Sequence, residues 1–357
     1  MSNPSPTADP RIGARAPRTP GWHRFVAWTL RNFYFRVRVV GSRCPVRPRT
    51  LVVSSHRNGA IDGYLVLAAF PRAVFLASAQ LLRNPLLRLM FAGIAVVRAK
   101  DAQRHHLDPR CFASPVGAAL SCLEQGGCVA VFPEGTSQWG PKPLPYAQGA
   151  ARVACLSWWR EGVPPQVIPV GLFYRCPDRF RSRAEVLVGK PVALPQRAGR
   201  ELQDWVADTA AAIGAALDSV SVHCPDVDTF EHVELQAAAD SRCGASYALA
   251  FKAREALARR GDRTQPVVSS VANAARFWQW PCIMIAALLL GPVLLAGLAA
   301  GRSADARNTT TMFRMLGGAA AAVVWIPLLV LLAACHPQVV LPLGILAAYG
   351  WWCWPER

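Results

Sequence analysis

Two long stretches near the end of the chain contain no charged residue, and they limit how the chain can fold. They cover residues 277–301 and 315–355, and within the second only His336 can gain a positive charge. An α-helix rises ~1.5 Å per residue, so about 20 residues cross the ~30 Å hydrocarbon core of a bilayer. Because a charge at the bilayer centre costs ~2.5–3.5 kcal/mol on insertion scales, its absence from both stretches predicts membrane segments rather than buried soluble helices.

The two stretches predict different kinds of membrane segment. The second is long enough for two transmembrane helices, 315–334 and 338–355, which turn at "CHPQ". Its "WWCW" is typical of an aromatic belt at a membrane interface. The first, 277–301, contains Pro281 and Gly291–Pro292, and is predicted either to span the membrane or to enter and return. Basic residues flank it on both sides, which favours two cytoplasmic flanks and therefore a re-entrant segment.

The composition agrees with a chain at a membrane surface. Apolar residues make up 52% of the 357 residues, charged residues only 17%, and the net charge is +17. Such an excess suits anionic lipid headgroups, phosphorylated substrates or nucleic acid. The aromatic residues crowd the ends of apolar runs instead of alternating with basic clusters, so lipid is favoured over nucleic acid. The eleven cysteines form no CxxC pair, which predicts reduced thiols rather than a zinc site or a disulfide framework.

The N-terminal region divides into two predicted segments. Residues 1–20 are rich in proline, serine and arginine and are predicted to form a disordered basic tail. Residues 21–35, "GWHRFVAWTLRNFYF", predict an amphipathic helix with an aromatic face. That helix can lie in the membrane interface, pack on the folded domain, or do both.

Short β-branched runs alternate with helical patterns between about residues 36 and 220. This alternation predicts an α/β domain with a mostly parallel central sheet flanked by helices, and its motifs fall within 51–174. Residues 221–276 are polar and are predicted to be a helical linker. Since all motifs and predicted strands precede residue 200, the domain is expected to fold without the C-terminal stretches. Strands are predicted at 35–40, 50–54, 73–77, 94–97, 128–132, 167–173 and 185–188, and helices at 60–70, 80–91, 113–125, 146–161 and 200–219.

The stretch "SSHRNGAID" carries the first candidate catalytic pair. His56 follows the predicted strand 50–54 directly, and Asp62 lies on the first turns of the next predicted helix. A carboxylate that fixes the imidazole tautomer and stabilises the imidazolium makes histidine a general base. A histidine and an aspartate this close together also occur by chance, so the pair alone does not establish chemistry.

Three further stretches bear on the meaning of this pair, although each taken singly has a structural explanation, such as a solvated arginine or a helix-capping glutamate. "VFPEGTS" at 131–137 predicts a strand that enters a turn, with backbone amides facing an anion and Glu134 accepting from a substrate hydroxyl. "GIAVVR" at 93–98 predicts a short strand that ends in Arg98, where a guanidinium can hold a phosphate. "VIPVGL" at 167–172 predicts a buried strand interrupted by Pro169.

Together, in this order, these blocks resemble the glycerolipid acyltransferase family, which includes 1-acylglycerol-3-phosphate and glycerol-3-phosphate acyltransferases. The resemblance covers roughly residues 35–195. Two positions depart from the common pattern: five residues rather than four separate His56 from Asp62, and Ser137 stands where many members have arginine. Both departures resemble the branch of fungal dual glycerol-3-phosphate/dihydroxyacetone-phosphate acyltransferases and their bacterial relatives. "PLPYAQGAAR" and "FRSRAEVLVGKP" resemble that branch as well.

The resemblance implies an O-acyltransferase of phospholipid biosynthesis in a membrane, with an α/β catalytic domain facing the cytoplasm at a bacterial inner membrane. His56 would be the base and Asp62 its orienter, and Arg98 would hold the acceptor phosphate. The acyl donor would be acyl-CoA or acyl carrier protein, and the acceptor a phosphorylated glycerol. No metal or bound cofactor is implied, because a thioester is already activated. Ala147 stands where that branch tends to have lysine. The remaining substrate-binding residues implied are Glu134, Gly135 and Thr136, with Lys142 or Arg152 replacing that lysine.

Three alternatives stay open at this point. The same chemistry can act on another acceptor, such as a lysophospholipid, a lyso-ornithine lipid or an alcohol. A thioester hydrolase would use water and would not need Arg98. A non-catalytic, membrane-anchored lipid-binding protein would not need the combination of histidine, aspartate, glutamate and arginine.

Overall fold

The computed structural model describes residues 18–78, 84–96, 114–241, 244–261 and 277–355. Seven strands in these ranges form one sheet. In chain order they are β1 (Phe35–Gly41), β2 (Thr50–Ser54), β3 (Val74–Ser78), β4 (Ile94–Val96), β5 (Cys128–Val131), β6 (Gln166–Tyr174) and β7 (Ser182–Val188).

The sheet is mostly parallel, as the sequence predicted. Its strand order is β1-β7-β6-β2-β5-β3-β4. Only the β6–β7 pair is antiparallel. The central strand β2 pairs with β5 on one side and β6 on the other, and Leu51, Val52 and Val53 are fully buried. A strand covered on both faces needs such a continuous β-branched run, which is why "TLVVS" was recognisable from sequence.

Helices cover both faces of the sheet. One hydrophobic cluster joins the sheet to α1 and α2, and a second joins its other face to α4, α5 and α6. Along the chain these helices are α1 (Gly21–Tyr34), α2 (Ile61–Ala69), α3 (Pro85–Met90), α4 (Pro115–Glu124), α5 (Gly149–Glu161) and α6 (Leu202–Val220).

Helix α1 is packed on the domain along one face, where Ala27 and Tyr34 are buried. Away from this face Trp22, Phe25 and Trp28 are each more than half exposed, and the Trp22 indole still donates to the Leu89 carbonyl at 3.0 Å. The packed position predicted for this helix is therefore confirmed, while its contact with a membrane stays a prediction.

Residues 221–276 were predicted to be a polar helical linker; the described part is helical, but it packs on the sheet instead of forming a linker. Helices α7 (Val227–Asp240) and α8 (Tyr247–Arg259) bury a third hydrophobic cluster against β6 and β7. Phe230, Val233 and Ala237 follow each other at spacings of three and four residues, which places them on one helix face. The exposed polar residues between them hid this pattern in the overall composition.

The C-terminal stretches form four helices. They are α9 (Gln279–Leu289), α10 (Gly291–Gly301), α11 (Arg307–Cys335) and α12 (Pro337–Trp352). Helix α9 bends by 66° into α10 at Leu290. Among the described residues, α11 is the one helix long and apolar enough to cross a membrane, and the bent pair adds a second if it counts as one span.

Two of the predicted membrane segments differ in extent from the helices found. Helix α11 begins eight residues before the predicted span 315–334. Helix α12 has only 16 residues, or about 24 Å, which falls short of the ~30 Å hydrocarbon core that the predicted span 338–355 was to cross. His336 breaks the helix before α12 begins, and α12 ends before Pro355.

The bent pair returns toward the domain from which it leaves. Trp280 near the start of α9 and Leu298 near the end of α10 line one cavity together with Asp178. This arrangement favours the re-entrant alternative for 277–301. Glycines allow α10 to pack closely on α11 and α9 to pack closely on α12. A Cβ at Gly317 of α11, for example, would lie 2.8 Å from the Ala296 carbonyl of α10.

The first turns of α11 belong to the α/β domain rather than to the exposed helices. Thr311 is fully buried, and Met315 is part of the core cluster that contains α1 and α2. The expectation that the domain folds without residues 277–357 therefore conflicts with the packing. Sequence analysis placed the boundary too early because this contact joins residues far apart along the chain.

Candidate active site

His56 lies where two neighbouring parallel strands end. It follows β2 by two residues, and the turn 132–137 follows β5, with which β2 pairs in parallel. The carboxyl ends of adjacent parallel strands meet at one edge of a sheet, so the sheet itself brings "SSHRNGAID" and "VFPEGTS" together. The His56 carbonyl accepts from the Gln138 N–H at 3.0 Å, which joins the two loops directly.

His56 and Asp62 form the predicted pair. The His56 Nδ1 and an Asp62 carboxylate oxygen lie 2.8 Å apart. A carboxylate can only accept, so Nδ1 carries a proton, and in the neutral imidazole Nε2 therefore has the lone pair. No atom in the described part of the protein hydrogen-bonds to Nε2. The imidazole is therefore oriented as a general base requires.

Asp62 is held by four donors although its side chain is fully buried. Besides His56, the backbone N–H groups of Arg57 and Asn58 donate to Oδ2 at 2.6 and 2.8 Å. The Tyr174 hydroxyl donates to Oδ1 at 2.5 Å. Burial and the neighbouring Asp62 charge raise the pKa of Tyr174, so its hydroxyl stays protonated and remains a donor. The loop 56–60 thus folds around one carboxylate, whose buried charge is compensated by hydrogen bonds.

Glu134 supports the same loop from the other side. One carboxylate oxygen accepts from the His56 N–H at 2.7 Å, and the other accepts from the Leu144 N–H at 3.0 Å. Burial raises the pKa of Glu134, while these two amide donors act in the opposite direction. The carboxylate positions the backbone of His56, and its predicted contact with a substrate hydroxyl stays a prediction.

The His56 ring faces a cavity of about 440 Å³. Its back is covered by the Phe132 ring, which stacks on it with 4.3 Å between ring centroids. The remaining lining is largely apolar and includes Leu67, Phe75 and Met90. A polar edge at an apolar cavity suits a substrate with a reactive polar end and an aliphatic chain.

The other predicted site residues are distributed unevenly around this cavity. Gly135 and Thr136 line it, and Gly135 occupies a left-handed turn conformation with φ +70°. Lys142 and Arg152 are exposed and do not line it. Arg98 lies outside the described residues, two positions beyond Val96, which lines the cavity at the end of β4. Among the described residues, no cluster of histidine, cysteine, aspartate and glutamate could hold a metal ion.

Several residues at the site were missed by sequence analysis. The Arg57 guanidinium is buried against the Trp139 ring, 4.5 Å from its centroid, and donates to the Gly140 carbonyl at 3.0 Å. Burial lowers the pKa of Arg57. Tyr174 is the last residue of β6, beside β2, and this strand-end position was a usable signal. No sequence signal pointed to Thr311 of α11, which contacts Asn58 in the His56 loop, or to Asn308, which contacts Ser137 in the turn after β5.

Comparison with known proteins identifies the segment that carries this site. Residues 36–172 match the family model described as Acyltransferase. The chain is 30% identical over 148 residues to an uncharacterised acyltransferase of Schizosaccharomyces pombe, an alignment that covers 37% of this chain and 22% of that protein. It is 32% identical over 120 residues to glycerol-3-phosphate O-acyltransferase 1 of Saccharomyces cerevisiae, over 31% of this chain and 16% of the relative.

One solved structure matches part of the chain. It is the crystal structure of the 1-acyl-sn-glycerophosphate (LPA) acyltransferase PlsC from Thermotoga maritima, with a TM-score of 0.38 and 18% identity. The superposition covers 54% of this chain and 77% of that protein. The chain thus spans about a fifth of the length of the two curated relatives and about three quarters of this solved one.

Proposed function

We propose that this chain, whose residues 36–172 form an acyltransferase-family domain, moves a fatty acyl group from a thioester donor to a glycerol-phosphate hydroxyl. The acceptor is glycerol-3-phosphate or 1-acylglycerol-3-phosphate, and the donor is acyl-CoA or acyl carrier protein. The observation that carries the proposal is the His56–Asp62 contact of 2.8 Å, with Nε2 at a largely apolar cavity. The curated relative named glycerol-3-phosphate O-acyltransferase supports this choice of acceptor.

The proposed reaction is a single acyl transfer. The acceptor hydroxyl gives its proton to His56 Nε2 while its oxygen attacks the thioester carbonyl carbon. Asp62 stabilises the imidazolium that forms. When the tetrahedral intermediate collapses, the C–S bond breaks and the proton on Nε2 passes to the leaving thiolate. No bound cofactor takes part, because the thioester already supplies the activated acyl group.

The acceptor phosphate needs a cation, and Arg98 is the residue we propose for it. The strand that precedes it in the sequence, β4, ends at the cavity with Val96. Gly135 and Thr136, which line the same cavity, are proposed to shape the acceptor site between this cation and His56. Lys142 and Arg152, both exposed, are less well placed for this role.

We further propose that the C-terminal helices lie in a membrane, with the catalytic domain at the cytoplasmic face of a bacterial inner membrane. Large apolar side chains on α11 and α12 face outward, among them Val323, Val324 and Ile345, each more than 70% exposed. Exposed apolar patches of this extent are unfavourable in water. The basic residues around the apolar stretches support a cytoplasmic domain.

An acyl-transfer assay on purified full-length protein tests this function. It offers acyl-CoA and acyl carrier protein donors with glycerol-3-phosphate, 1-acylglycerol-3-phosphate, a lysophospholipid, a lyso-ornithine lipid and an alcohol, and reads products by mass spectrometry. We expect product with a phosphorylated glycerol acceptor and free thiol in equal amount. Product with another acceptor alone would move the proposal to that substrate, and free fatty acid alone would indicate a hydrolase. No product with any pair would leave lipid binding without catalysis as the better description.

A further inference from the structure

The first turns of α11 lie directly on the loop that carries His56. The Asn58 side-chain amide donates to the Thr311 hydroxyl at 3.2 Å, and that hydroxyl donates to the Pro177 carbonyl at 2.5 Å. Asn58 and Thr311 are both fully buried. A single hydroxyl therefore connects the His56 loop with the turn that follows β6.

One turn earlier, Asn308 contacts the second loop of the site. Its side-chain amide donates to the Ser137 carbonyl at 2.7 Å and to the Ser137 hydroxyl at 2.8 Å. Its own carbonyl would lie 3.1 Å from a Cβ placed on Gly59, so the helix backbone also touches the His56 loop. Ser137 and Gly59 both line the cavity at His56.

We infer that Asn308 and Thr311 are positioning residues of the acyltransfer site, and that the site works only while α11 is seated on it. The inference rests on the proposed function. From Thr311 the contacts run to the Asn58 side chain, from the Asn58 backbone N–H to Asp62, and from Asp62 to His56 Nδ1. Neither Asn308 nor Thr311 lies in the segment that matches the acyltransferase family.

The consequence is a dependence of catalysis on the apolar helix. Beyond Met315 the same helix exposes its apolar side chains, so the surroundings of α11 determine how firmly its first turns hold the two loops. A misplacement of ~1 Å in a catalytic arrangement can cost ~10²-fold in rate.

The test uses the full-length protein in lipid nanodiscs, with the acyl-transfer assay above. Thr311→Val keeps the shape of the side chain and removes the hydroxyl, and we expect kcat to fall about 10-fold or more, with little change in either KM. Without the Thr311 hydroxyl, Asn58 is held less firmly, and so is its backbone N–H that donates to Asp62. The acidic limb of the plot of kcat against pH should therefore move as well. Thr311→Ser restores the hydroxyl and should return kcat to within about threefold of the wild type.

Thr310→Val is the matched control. It is the same substitution on the next residue, whose hydroxyl donates only within its own helix, to the Ala306 carbonyl at 3.1 Å, and it should behave as the wild type. If Thr311→Val does not fold, Asn308→Ala carries the test, since Asn308 is only partly buried.

Wild-type kcat in both Thr311→Val and Asn308→Ala would overturn the inference. Equal losses in the serine and valine variants at 311 would do the same, since a purely structural role would not distinguish them by their hydroxyl. A wild-type protein without acyl transfer would instead contradict the proposed function.

Discussion

The loop around Asp62 and the outer part of α11 are parts of one chain that are stabilised in opposite ways. In the loop, a fully buried carboxylate is surrounded by four hydrogen-bond donors. In α11 beyond Met315, valine and leucine side chains such as Val323 and Val330 point outward without a protein partner to cover them. Buried polar groups are stable only when they are paired, and exposed apolar groups only when something other than water surrounds them.

The difference shows that the boundary between the packed domain and the exposed apolar region falls within a helix. Asn308, Thr311 and Met315 make polar contacts and core contacts with the α/β domain, whereas large apolar side chains further along α11 are exposed. The apolar stretch in the sequence therefore marks the exposed part of α11, but not the earlier turns that belong to the domain.

Removing residues 277–357 should have the largest effect on activity and stability, because it removes the first turns of α11 that pack on the domain. Loss of Thr311 would leave the buried Asn58 amide without this partner. Loss of Met315 would leave a cavity in the core, and a large-to-small change at one buried methionine alone costs ~2–5 kcal/mol. We expect no measurable acyl transfer and a loss of protease resistance in the remaining domain. Removal of 337–357 alone leaves Thr311 in place and should retain activity. Full activity in the longer deletion would place the end of the folded domain before α11, contrary to this prediction.

Asp62→Asn tests the polar side of the comparison with little change in size. The amide can still accept from the Arg57 and Asn58 N–H groups, but it no longer stabilises an imidazolium through its charge. We expect kcat to fall ~10²–10⁴-fold, the range of a lost general base, while the protein stays folded. Asp204→Asn changes an exposed aspartate on α6 and should have no effect. A kcat close to that of the wild type for Asp62→Asn would show that the pair is structural.

Tyr174→Phe removes one of the four donors and should have a smaller effect. A hydrogen bond to a charged group contributes ~1.5–3 kcal/mol, so we expect a loss of stability of that size and kcat lower by about 10-fold. The control is Tyr34→Phe, whose hydroxyl donates to the neutral Asp178 carbonyl at 3.1 Å and should contribute only ~0.5–1.5 kcal/mol. Chemical unfolding and initial rates measure both variants. Equal losses of stability in the two would mean that the Asp62 charge does not matter to Tyr174.

The smallest predicted effect concerns Glu234 on α7 and the way in which the stability of the protein depends on pH. Burial raises the pKa of Glu234 from 4.5 to about 7, although the charges of Arg57 and Arg307 act in the opposite direction. The folded protein therefore favours the protonated form, and the stability gained from this is present below pH 4.5 and lost as the pH rises through about 7. Glu234→Gln should make the free energy of unfolding less dependent on pH. It should also stabilise the protein at pH 8 by ~1–2 kcal/mol, after allowance for solvent screening.

Thermal unfolding between pH 4.5 and 8 measures the Glu234 effect. Glu231→Gln on the same helix changes an exposed carboxylate and should leave the dependence as it is. If Glu234→Gln is less stable than the wild type at pH 8, the attraction between Glu234 and Arg57 outweighs the cost of burial, contrary to this prediction.

The sequence allowed prediction of those parts of the fold and site that local patterns determine. The buried run 50–54 matched β2 to the residue, since a central parallel strand requires it. His56 and Asp62 could be paired because a strand end and the next helix start are close in the chain. The contact of Asn58 with Thr311 spans 253 positions and depends on how a distant helix docks. The packing of α7 was missed because its apolar residues share one face without dominating its composition.

If His56 is the general base of the proposed acyl transfer, His56→Ala must lower kcat without unfolding the protein. Wild-type and variant proteins are purified at full length, matched for folding by thermal unfolding, and assayed for acylated product with the acceptor found for the wild type. We expect both proteins to unfold cooperatively and the variant to be slower by at least ~10²-fold. A folded His56→Ala protein that transfers the acyl group within a few-fold of the wild-type rate would contradict it.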